Sequence, residues 1–101
     1  MPEHPLRGLP GAERALRGLA DARDGIWSAE ALVIAMAPTR LRQLGLEVPH
    51  DLPSDAELAL YAQLARDGVA DPYARYNALL REFDSFLESL TARRRREEAA
   101  L

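Results

Sequence analysis

The stretch from Asp71 to Leu90 limits this chain's fold more than any other. Asp71-Pro72 is a helix start, a capping carboxylate followed by proline at the first helical position. From there Tyr76, Leu80, Phe83, Leu87 and Leu90 step by four, three, four and three residues, and Tyr73, Leu79 and Phe86 widen the stripe. That spacing puts every large apolar side chain on one side of a helix and requires something to pack against it. The stripe stops at Leu90, since arginine stands at 94 and glutamate at 97.

Ala15, Leu19, Ala22, Ile26, Ala29, Val33 and Met36 repeat the same alternation upstream. The spacing predicts one long helix over residues 11–37, ended by Pro38, because the residue before a proline avoids the α region. Gly18 and Gly25 lie inside it, and each costs about 1 kcal/mol relative to alanine in a helix. A break after Asp24 is the alternative.

Between these helices, Thr39 caps a short turn over 40–44 that Gly45 ends. The two prolines of LEVPHDLP make the next segment a loop. Ser54 and Glu57 have the spacing of a capping box, opening a helix to about Asp67 that Gly68 ends. Its expected inward residues are Leu58, Tyr61, Leu64 and Ala65.

No strand pattern or repeat competes with these segments. The expected class is all-α, a small helical bundle of three main helices plus one short helix, completed by dimerisation. Residues 1–10, with three prolines, read as a flexible arm, 11–92 as the helical domain, and 93–101 as a charged helical tail.

Composition excludes several kinds of chemistry. The 101 residues contain no cysteine, so disulfides, thiolate metal sites and cysteine nucleophiles are ruled out. Every cation is an arginine, which rules out Schiff-base and P-loop lysines. With 13 basic and 16 acidic residues, the net charge of −3 is ordinary. The longest purely apolar run, 31–37, falls far short of the ~20 residues that span a bilayer, and the opening MPEHPLRGLPG lacks signal-peptide architecture. These features lead to the expectation of a cytoplasmic protein without membrane contact. The richness in Ala, Arg, Leu, Gly and Pro suggests a GC-rich bacterial genome.

The run Arg93, Arg94, Arg95, Arg96 raises the possibility of nucleic-acid contact. At ~100° per residue these side chains spread around the helix instead of forming a basic strip. Glu97 and Glu98 follow at i+4 from Arg93 and Arg94 and partly neutralise them. Four phosphate contacts would give a salt slope of only about −3.6, and no aromatic residue interleaves to stack a base. The tail reads first as a solvated helix end, whose cations suit the negative end of the helix dipole.

Candidate catalytic groups are few. Glu47 and His50 form an E-x-x-H string, but Pro49 lies within it and no second string exists to complete a carboxylate-bridged metal site. His50 beside Asp51 is a conceivable proton-transfer pair, though an ordinary loop histidine is the plainer account. Asp21 and Asp24 share a helix face without a second acidic pair, and read as part of a charged surface. Glu30 and Arg23 lie close to apolar residues and need either partners or a water-facing edge. Asn77 is placed to set register by an interhelical hydrogen bond.

The sequence therefore implies no cofactor, no metal and no catalytic residue. It points to a protein–protein interaction or assembly module that self-associates through apolar helix faces. The expected interface residues are Trp27, Val33, Met36, Tyr76, Leu80, Phe83, Phe86 and Leu87, and the expected partner is a second copy or another protein. The alternative is a nucleic-acid-associated dimer using Arg93–Arg96.

Overall fold

The computed structural model describes Leu6 and residues 8–100. Among these residues there are five helices and no strand: α1 Ala12–Arg23, α2 Ala29–Ala35, α3 Pro38–Gln43, α4 Ala56–Arg66 and α5 Pro72–Ala99. The all-α class holds. The helix count differs from expectation because the predicted first helix is two helices.

The break lies at Gly25, whose φ of 73° is in the left-handed region. The Gly25 N–H donates to Ala22 O and the Ile26 N–H to Asp21 O, the paired bonds of a Schellman ending. Ser28 then caps α2, its Oγ accepting from the Ala31 N–H at 3.3 Å while its hydroxyl donates to Asp21 Oδ2 at 2.7 Å. Asp21 thus ties the end of one helix to the start of the next. Ile26, counted among the inward residues of a continuous helix, is instead 54% exposed at the turn.

The same ending recurs at Gly45 and Gly68, where Leu46 donates to Leu41 O and Val69 to Leu64 O. At those two turns an apolar residue follows the glycine and packs toward an apolar residue one turn back, the usual companion of the motif. At Gly25 the corresponding earlier residue is Asp21, so Ile26 has no such partner.

Turning back at Gly25 lays α1 against α2. Gly18 is buried in that contact, and a Cβ added to it would lie 2.5 Å from Glu30 O. α2 is buried on every residue but Glu30, with Ala31, Leu32, Val33, Ile34 and Ala35 inside, and α1, α4 and α5 all pack on it. A helix apolar on nearly every side belongs in a core, and here it is the central rod of the bundle.

α5 begins as expected, Asp71 Oδ1 accepting from the Ala74 N–H at 3.1 Å. Its 28 residues reach ~42 Å at ~1.5 Å each, which accounts for the 47 Å long dimension of the molecule. Leu79, Phe83, Phe86, Leu87 and Leu90 are buried, and no described residue beyond Leu90 is. α3 starts at Pro38, with Ala37 and not Thr39 at the cap.

Of the expected N-terminal arm, Leu6 is buried in the core and Leu9 packs against it, joined by a Leu9 N–H bond to Leu6 O. Residues 1–5 and 7, and Leu101 of the tail, lie outside the described residues.

Candidate functional site

α4 lacks the expected capping box. Asp55 is the N-cap residue and no side chain caps the helix. The helix is also rotated from the sequence expectation. Ala56, Leu60 and Leu64 are buried, whereas Leu58 is 68% exposed, Tyr61 is 44% exposed and Ala65 faces water. Of the four residues expected inward, only Leu64 is.

This rotation is possible because α4 carries two apolar stripes. At ~100° per residue, Ala56, Leu60 and Leu64 share one side, and Leu58, Tyr61, Ala62 and Ala65 share the opposite one. Periodicity alone favours neither. Leu60 and Leu64 fit against α2, the second stripe is left outward, and Ala62 lies exposed with it.

α5 extends that outward stripe. Residues 67–71 turn the chain back so that α4 and α5 form a hairpin, and the Tyr61 and Tyr76 rings meet edge-on with centroids 6.5 Å apart. Tyr76 is half-buried, while Tyr73, one turn earlier, is 67% exposed. Burial raises the Tyr76 phenol above its ordinary 10.0, and the nearby Glu57 carboxylate adds to the shift. Leu58, Tyr61 and Tyr73 are the large apolar side chains most open to solvent in the described structure apart from Ile26. They share the α4–α5 hairpin, and Ile26 stands at the α1–α2 turn.

Polar side chains link up along another side of α4. Arg66 Nη2 donates to Gln63 Oε1 at 2.7 Å, and Gln63 Nε2 donates to Asp67 Oδ1 at 2.8 Å. Asn77 donates to the Tyr73 carbonyl at 3.1 Å, within its own helix, so it makes no interhelical register bond.

The expected interface residues divide in two. Val33, Phe83, Phe86 and Leu87 are buried in this chain's own core. Trp27, Met36, Tyr76 and Leu80 are half-buried, and the first three pack on the core edge. Leu58, Tyr61 and Tyr73 were not among the interface residues drawn from sequence. The available signal was the doubled stripe of α4.

The arginine tail continues α5. Arg93 and Arg94 pair with Glu97 at 3.5 and 3.8 Å, and the Arg94 guanidinium lies across Gly45. With Arg23, Glu47 and Leu90 they border an open cleft of about 470 Å³. Arg95 and Arg96 are exposed. Two of the four arginines therefore lie against the body of the bundle.

The remaining candidates have structural settings. Arg23 donates to Glu47 O at 3.1 Å. Glu30 pairs with Arg14 at 3.6 Å, and Arg14 also holds Glu82 at 3.0 Å, linking α1, α2 and α5. Arg42 donates to Val48 O and, at 2.7 Å, to Pro49 O, shaping the loop that carries His50 and Asp51 on the surface. No cluster of three or more His, Asp or Glu residues suited to a metal exists among the described residues. No described helix is long and apolar enough to cross a membrane. Comparison with protein-family models, with curated proteins and with solved structures finds no match for this chain.

Proposed function

We propose that this chain is a non-catalytic helical assembly module whose first partner is a second copy of itself, working in the cytoplasm. The observation that supports this reading is the outward stripe of α4, continued by Tyr73 on α5. A helix that already packs one apolar side into the core has no intramolecular reason to be apolar on the other. Contiguous exposed apolar surface of this kind marks association sites, and aromatic residues such as Tyr61 and Tyr73 are the usual anchors of such contacts. The work performed is surface burial.

The test is molar mass by light scattering across a dilution series. A mass near twice 11.2 kDa that falls on replacing Leu58 by Asp, with helix content unchanged, supports the reading. A single-chain mass at every concentration overturns it.

A further inference from the structure

We infer that two copies join α4 to α4 in antiparallel fashion about a two-fold axis that crosses the outward stripe between Tyr61 and Ala62. This inference rests on the self-association reading and specifies its geometry. Leu58, Tyr61, Ala62 and Ala65 are placed symmetrically about that point. In an antiparallel pair Leu58 meets Ala65 of the second copy on the midline of the stripe, while Tyr61 on the edge toward α5 and Ala62 on the other edge each come beside their own counterpart next to the axis.

Charge selects the same arrangement. Tyr61 and Glu57 lie toward α5, while Asp55 and Arg66 border the stripe on the side away from it, at opposite ends of the helix. The antiparallel two-fold brings Asp55 of one copy within ~3 Å of the level of Arg66 of the other on a shared edge, and symmetry repeats the pair. A parallel pair would set Asp55 level with Asp55 and Arg66 level with Arg66. Both residues are exposed in the single chain, so the pairing displaces no core contact.

The available area fits a dimer. At ~200 Å² per aromatic side chain, the exposed parts of Leu58, Tyr61 and Tyr73 leave roughly 300–400 Å² of apolar surface in water. Non-obligate interfaces are a little over half apolar, so this corresponds to about 500–700 Å² per partner, somewhat below the ~800 Å² of a standard interface. α5 flanks α4 on one side only, so both copies of α5 lie on the same side of the seam and bring Tyr73 and Tyr76 over it. The product is a four-helix core of α4 and α5 from each copy. The two α5 helices then run in opposite directions, so the Arg93–Arg96 segments stand at opposite ends and do not form one combined basic surface.

The chain has no cysteine, so an introduced thiol is the sole one. Under mild oxidation Ala62→Cys forms a covalent dimer, because the site adjoins the axis. Leu58→Cys alone does not, since its two copies lie ~10 Å apart along the seam, beyond the ~7 Å that a disulfide spans. Mixed with Ala65→Cys, it does. Arg66→Asp weakens association about tenfold, and combining it with Asp55→Arg restores it. Leu58→Cys linking to itself overturns the antiparallel register. A wild-type mass of two chains with no linkage through 62 or 58/65 overturns this seam while leaving self-association standing. A wild-type mass of one chain overturns both.

Discussion

Gly18 of α1 lies so near Glu30 of α2 that a Cβ on the glycine would meet the Glu30 carbonyl oxygen at 2.5 Å and its carbon at 2.8 Å. The contact joins two helices that share no turn of backbone, and it exists only because the chain reverses at Gly25. Both the close packing of α1 on α2 and the burial of α2 depend on it.

Gly18→Ala therefore destabilises, although alanine is the better helix former by about 1 kcal/mol. The clash is with backbone, which cannot rotate away, and overpacking of this sort costs typically ~1–3 kcal/mol. A contact as short as 2.5 Å to backbone falls in the upper part of that range, so the net loss of ~1–2 kcal/mol lowers the melting temperature by several degrees, about 4–8 °C per kcal/mol for a domain near this size. An unchanged or higher melting temperature would show that α1 and α2 are farther apart.

Gly25 is sensitive for a different reason. Nothing lies within 4 Å of a Cβ there, but its φ is +73°, and a side chain in the left-handed region costs ~1–2 kcal/mol. Gly25→Ala should lose about that much in a denaturant titration. Gly25→Asn should lose less, since asparagine tolerates this conformation. Equal losses for the two would argue against a backbone origin.

Leu58 and Leu60 are two residues apart and read alike in sequence. Leu60 is fully buried and Leu58 is 68% exposed. Leu60→Ala should cost ~2–5 kcal/mol in chemical unfolding. Leu58→Ala, measured where the chain is monomeric, should stay within ~0.5 kcal/mol, as exposed substitutions do. A reversal of the two would place α4 in the other rotation.

Arg14 bridges Glu30 and Glu82, but its side chain is 35% exposed. Solvent screening reduces such pairs to ~0–1 kcal/mol. Arg14→Met should lower stability by less than ~1 kcal/mol, with the difference shrinking in high salt. A large, salt-independent loss would mean that Arg14 contributes mainly through packing.

The Tyr76 phenol is raised above 10.0, first by burial and then by Glu57. A group whose folded pKa lies above its unfolded value adds stability that is fully present below the unfolded pKa and is lost as pH rises through the folded one. Thermal stability should therefore fall above about pH 10, and Tyr76→Phe should fall less steeply. Parallel curves for the two proteins would assign the alkaline loss to other groups.

Much of the fold was legible from local signals. The start of α5 at Asp71-Pro72, the end of its packed seam at Leu90, and the helix endings at Gly45 and Gly68 all follow from cap and breaker chemistry, which acts within a few residues. The break at Gly25 was harder to read because Ala22 and Ala29 keep helical register across it. A stripe that continues in phase looks the same whether the chain runs on or doubles back.

The surface proposed for association was hidden for a related reason. Periodicity shows which side chains share a face, but not what meets that face. Val33, Phe83, Phe86 and Leu87 have the pattern of an interface, and the chain's own helices cover them. The sequence by itself determined an all-helical chain, most of its helix ends, and the absence of thiol and lysine chemistry, because each depends on residue type and near neighbours. The reversal at Gly25, the choice of Leu60 over Leu58 as the inward residue of α4, and the pairing of Glu30 with Arg14 were decided only in the tertiary structure. Each is a competition between nearly equivalent local arrangements, and contacts between residues distant in sequence select the outcome.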